Sequence, residues 1–208
     1  MNFSATDCVR QAWRIFRKRW WFLVGVTVLT MVLSWLIVWV AGKFGGRDLG
    51  GFVGAILNIG LSTLLSMGFT AVVIHAHDAI DSAYLRELWH PRSFWKFLAA
   101  EILTGLIIFV GLILFIVPGI IAMLILLFVP YLVIDKEFGP IEAIRASVKI
   151  TRGSRIELLL LVLIIFVLNV FGLLAFLAGL LVTIPVSSLA IAHAYRALEL
   201  KAKGQTIA

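Results

Sequence analysis

The sequence predicts an all-helical membrane protein, and three observations lead there. Hydrophobic residues fill 62% of the 208 positions and charged residues only 14%, against about 25% charged in soluble domains. The mean hydropathy is +1.09. The apolar residues gather into four stretches free of Asp, Glu, Lys and Arg, at 20–42, 49–74, 102–134 and 158–195. A soluble domain of this length could not hide that much apolar surface, because most of its residues still touch water.

A helix that crosses a bilayer needs about 20 apolar residues, with a range of about 17–25. The first two stretches supply one helix each, at 20–42 and 50–75. The third runs for 33 residues and contains Val117-Pro118-Gly119. Proline removes a helical hydrogen bond and restrains the residue before it, so this stretch reads as two helices, 97–116 and 119–135. The fourth runs for 38 residues with Gly172 and Gly179 near its middle, giving helices at 157–174 and 177–197. Five cations precede the first apolar run, but that run of 23 residues is too long for a signal-peptide core of about 7–15. The expectation is one membrane domain over 1–208 with six spans.

Charge sets the expected orientation. Six spans with the N-terminus inside put 16 of the 18 Lys and Arg residues on one side, and only Lys43 and Arg47 on the other. Reading the third stretch as a single span would move the basic 135–157 segment outside, against the positive-inside rule. Both termini are therefore expected to be cytoplasmic. The net charge of +7 is explained by topology and calls for no nucleic acid. The single cysteine, Cys8, excludes an internal disulfide.

Two segments outside the spans read as interfacial helices, at 4–19 and 140–152. In the first, Ala5, Cys8, Val9, Ala12, Trp13, Phe16 and Trp20 recur at steps of three and four and form one apolar face. Ser4 with Asp7 suits a helix cap; in the second, Pro140 suits the first helical position and Gly153 a stop. The two segments resemble each other at an offset of 135 residues, with Arg10, Arg14 and Arg17 answering to Arg145, Lys149 and Arg152. The 84–96 segment reads as a degenerate third copy. The expected architecture is three hairpins, each preceded by a cytoplasmic amphipathic or interfacial helix.

Three stretches carry a family resemblance. They are Leu112-Ile-Leu-Phe-Ile-Val-Pro-Gly-Ile-Ile-Ala122, Gly139-Pro-Ile-Glu-Ala-Ile-Arg-Ala-Ser-Val-Lys-Ile-Thr-Arg-Gly153 and Pro185-Val-Ser-Ser-Leu-Ala-Ile-Ala-His-Ala-Tyr-Arg-Ala-Leu198. With the basic N-terminal helix they resemble a family of small bacterial integral membrane proteins that includes the membrane domain of glycerophosphoryl diester phosphodiesterases. The resemblance covers residues 4 to 198 and implies a six-helix membrane domain. It reaches no soluble phosphodiesterase domain, so it transfers no catalytic residue.

Candidate sites are few. Glu101 lies inside a predicted span, where an ionisable residue points to function by default; its shallow depth favours a structural role instead, by snorkelling or by pairing with Lys96 or a facing loop cation. His75, His77 and Asp78, with Asp81 behind, suggest a metal site, but residues two apart on a helix point about 200° from each other. The stripes Arg10, Arg14, Arg17 and Arg145, Lys149, Arg152 suit anionic lipid headgroups. Asn58 and Asn169 sit mid-span, as do Ser62, Ser66, Thr104 and Thr183, and such residues most often bond across helices. Gly54, Gly60 and Gly68 read as close-packing positions, and Pro118, Pro130 and Pro185 as turns or kinks. Ser187 and Ser188 near His193 lack the surroundings of a nucleophile.

No catalytic constellation, cofactor motif or metal-ligand set is legible. The expected function is a non-catalytic scaffold or regulator in a bacterial cytoplasmic membrane with lipid contacts. The alternative is a transporter or permease for a lipid or small apolar solute. The partner classes open to such a chain are anionic headgroups on the cytoplasmic side, a protein partner, or further copies of itself.

Overall fold

The structure is a computed structural model that describes residues 4–43, 49–78, 93–175, 179–202 and 204. Among them it is all-helical, with nine helices and no strand. In order they are α1 (Ala5–Lys18), α2 (Trp20–Lys43), α3 (Leu49–Asp78), α4 (Phe94–Leu114), α5 (Ile116–Leu126), α6 (Val129–Lys136), α7 (Pro140–Thr151), α8 (Arg155–Leu174) and α9 (Leu180–Ala202). Helix α2, helix α3 from Gly51, helix α4, α5 with α6, helix α8 and helix α9 make six segments long and apolar enough to cross a membrane. Their lengths follow from the apolar runs, since in lipid a backbone satisfies its own hydrogen bonds most readily as helix. The order of one short helix and two long ones occurs in α1–α3 and again in α7–α9. The degenerate copy expected at 84–96 falls largely outside the described residues.

The breaks are displaced from where proline alone would put them. The third stretch bends at Phe115, whose backbone is extended at φ −165° and ψ 152°. Pro118 then lies in the first turn of α5, where its missing N–H has no intrahelical partner to lose. A second interruption at Leu127 and Phe128 precedes Pro130, which opens α6; the single helix expected at 119–135 is therefore two. The turns close through glycine. A Cβ on Gly119 would stand 2.9 Å from the Leu112 Cα, and one on Gly179 would stand 2.7 Å from the Gly172 Cα. Gly60, expected at a close contact, faces open space.

The short helices follow their signals in part. Pro140 starts α7, the Glu142 carboxylate accepts the Gly139 N–H at 3.2 Å, and Gly153 ends the helix at φ +82°. Ser4 makes no capping bond to α1; its hydroxyl pairs with Thr6 at 2.9 Å. The face of α1 that packs is Ala5, Cys8, Ala12, Ile15 and Phe16. Trp13, expected on that face, is 47% exposed and stacks on Phe16 at 5.7 Å, while Ile15 takes the buried place. Both residues border the same stripe, and packing of α1 on α8 and α9 selects between them.

Burial is concentrated at one end of the bundle. The core takes Leu23 and Val26 from the start of α2, Met67 to Ala76 from the end of α3, and Phe97 and Ala100 from the start of α4. It adds Leu124 to Val133, Leu158 and Leu161, and most of Val186 to Leu198. At the opposite end the helices show apolar side chains outward, among them Trp35, Trp39, Phe52, Phe109, Phe115, Phe166 and Leu174. Membrane-facing helices have no water to drive their outer faces together, so such exposure is expected where lipid is the surroundings.

Candidate functional site

The packed end is fastened by charge. Arg196 of α9 reaches Asp135, the penultimate residue of α6, and Asp78, the last of α3. Its Nη1 and Nη2 donate to the two Asp135 carboxylate oxygens at 2.9 and 2.7 Å, and its Nε donates to Asp78 Oδ1 at 3.1 Å. A third carboxylate, Glu199, accepts from Nη1 at 3.2 Å one turn further along α9. Lys136 bridges Asp135 and Glu199 at 2.9 and 3.0 Å, and the Tyr195 hydroxyl donates to Asp135 at 2.8 Å. The planar guanidinium suits this fork, presenting five donors to paired carboxylate oxygens. Two cations face three carboxylates here, and the side chains of Asp135 and Glu199 are 13% and 11% exposed.

Sequence reasoning missed this cluster. Each member stands at the end of an apolar stretch and looks like an ordinary loop charge or orientation signal. The one local hint is Arg196 with Glu199, three apart on a helix. The tie to Asp78 and Asp135 spans 118 and 61 positions and exists only once the helices pack.

The histidines belong to the same end but do not form a ligand set. His77 Nε2 lies 2.9 Å from His193 Nδ1, and its Nδ1 lies 3.0 Å from Asp78. His75 turns to the Ala71 carbonyl at 3.1 Å, as the helical spacing requires. Asp81 lies outside the described residues. Among the described residues, no group of three or more His, Cys, Asp and Glu is placed to hold a metal ion. Ser187 accepts from Asn169, Ser188 bonds the Ile184 carbonyl, and neither is linked to His193.

Of the mid-span polar residues, Asn169 bonds across helices. Its Nδ2 donates to Ser187 at 3.0 Å and its Oδ1 accepts from Thr183 at 3.1 Å, tying α8 to α9. Asn58 stays within its own helix, accepting from Ser62 at 3.3 Å. Glu101 of α4 accepts from Ser66 of α3 at 2.9 Å, with the Thr63 hydroxyl as a further partner. Lys96 does not pair with it; the ammonium donates to the Glu137 carbonyl at 2.8 Å. The Thr104 hydroxyl makes no bond: among the described residues its Oγ1 is the buried side-chain polar atom without a partner. Glu101, Thr104, Phe97, Met123, Leu126 and Pro130 line a cleft of about 370 Å³ between α4 and the α5–α6 break. A neighbouring cleft of about 400 Å³ is lined by hydroxyls of α2 and α3, but Thr27, Thr30 and Ser34 all turn back to carbonyls of their own helix.

The basic stripes are exposed. Arg10, Arg14 and Arg17 stand on α1, Arg145 and Lys149 on α7, with Arg152 directly after it. Arg10 pairs with Asp7 at 3.8 Å, and Arg14 donates to Gln11 at 3.1 Å. Arg10 also lines a cleft of about 370 Å³ whose other walls include Val9, Trp13, Leu168, Val182 and Val186. A cation beside an apolar slot has the form of a phospholipid site. Cys8, on the inner face of α1, is 1% exposed, and burial, with Asp7 beside it, pushes its thiol up to about 12.

Comparison with known proteins returns no relative: no family model, curated protein or solved structure matches this chain.

Proposed function

We propose that the chain is a non-catalytic, multi-pass protein of a bacterial cytoplasmic membrane that acts as a scaffold or regulator in contact with lipid. The observation that carries this reading is the charged cluster. Asp78, Asp135, Lys136, Arg196 and Glu199 engage one another and close one end of the bundle. Charges that conduct or catalyse instead face a cavity. The exposed apolar faces and the cleft beside Arg10 support lipid as the surroundings. The cation asymmetry supports a cytoplasmic location for the closed end, for both termini and for α1 and α7, with three hairpins between. The three quoted stretches support kinship with the phosphodiesterase membrane-domain family.

A second reading, a permease for a lipid or small apolar solute, has one observation in its favour: the helix break before Pro130 lies beside Glu101, as discontinuous helices do in transporters. Proteoliposome flux separates the two. The scaffold reading expects no solute or lipid movement above protein-free vesicles. Flux abolished by Glu101→Gln, Asn58→Leu or Asn169→Leu would replace it with the permease.

A further inference from the structure

The cleft between α4 and the α5–α6 break combines features that the fold itself does not require. Glu101 places a carboxylate about 10 Å along α4 from Phe94, at the 1.5 Å helical rise. That is shallow enough to meet the boundary between headgroups and acyl chains. Thr104, one turn deeper on the same helix, leaves its buried hydroxyl unbonded. Elsewhere in the bundle comparable hydroxyls turn back to their own helix: Thr27 to Leu23, Thr70 to Ser66 and Thr151 to Ser147. A buried hydroxyl without a partner is costly, so its presence at the cleft points to a partner absent from the bare chain. Pro130 and Leu126, from the α5–α6 break, stand across the cleft. The other walls are apolar: Phe97, Ile108, Met123 and Val129.

We infer that this cleft binds the primary ammonium group of an amphiphile in the leaflet at the closed end, with the apolar tail along α4 and α5. Two acceptors on the cleft wall, the Glu101 carboxylate and the Thr104 hydroxyl, can take the N–H donors of an ammonium. A quaternary ammonium offers none, and an anionic headgroup meets a carboxylate. The inference rests on the reading of the chain as a lipid-contacting membrane protein and adds a headgroup class to it. The ammonium could belong to an aminophospholipid or to a free lipophilic amine.

Native mass spectrometry of the full chain in detergent, titrated with defined amphiphiles, tests this. The probes are phosphatidylethanolamine, phosphatidylcholine, phosphatidylglycerol and dodecylammonium. Expected is one retained phosphatidylethanolamine or dodecylammonium, whichever is held more tightly naming the source, and at least about ten-fold weaker retention of the other two lipids. Glu101→Gln should lower that retention by about ten-fold or more, the worth of a charge-assisted bond. Thr104→Val, which removes only an unbonded hydroxyl, should lower it while leaving or raising the melting temperature. Equal retention of all headgroups, or unchanged retention in both variants, overturns the site while leaving general lipid contact intact. Failure to retain any lipid at all overturns the site together with the lipid-contacting reading beneath it.

Discussion

Arg196 touches carboxylates from α3 and α6 as well as one on its own helix, so its replacement removes a charged partner from three carboxylates at once. Breaking one side of a buried pair costs about 3–5 kcal/mol. The cluster is only partly buried, which brings the expected loss for Arg196→Gln to about 2–3 kcal/mol. Thermal unfolding in nanodiscs should show it, and Asp135→Asn should act in the same direction with strong non-additivity in the double variant. An unchanged melting temperature would mean that the cluster is surface decoration. Cys8 gives a second prediction at this scale. With its thiol pushed up to about 12 from an ordinary 9.0, the folded protein should resist maleimide at pH 8 and react only on unfolding. The raised value favours the folded state below about pH 9, and that contribution is lost as pH climbs from 9 towards 12. Rapid labelling of the native protein would contradict the packing of α1. Neither the cluster nor the Glu101–Ser66 bond was legible in the sequence. Pairings 35 to 118 positions apart depend on how helices pack, and charges that fasten spans stand at the same positions as charges that merely flank them.

Helices were the most legible scale, because the length of an apolar run is itself the physical determinant of a span. The two over-long stretches divide, and α7 starts and stops at Pro140 and Gly153 as their backbone preferences require. Exact breaks were less legible. Pro118 marks the neighbourhood of a turn, but the chain turns three residues earlier because proline is accommodated inside a first turn. The face of α1 was legible as a stripe but not at its edges, where Trp13 and Ile15 compete. The close approaches of Gly111 to Gly119 and of Gly172 to Gly179 lead to a prediction at this scale. Gly179→Val would drive side-chain atoms into the Gly172 backbone, and overpacking of this kind costs about 1–3 kcal/mol. Gly60→Ala, whose new methyl meets nothing within 4 Å, should be neutral or slightly stabilising. Thermal unfolding of the two variants checks both; equal effects would argue against the close Gly172–Gly179 approach.

For the molecule as a whole, the packed, charged end and the opened apolar end divide two tasks. The first holds the helices in register, and the second leaves long apolar faces to lipid or to another membrane protein. The scaffold reading proposed above takes these outward apolar faces as the surface on which lipid or a partner docks. Native mass spectrometry after gentle release from nanodiscs tests that claim most directly. The released particle should carry bound phospholipid together with a stoichiometric protein partner or a second copy of the chain. A bare monomer without lipid or partner, from membranes where the protein is intact, would contradict it.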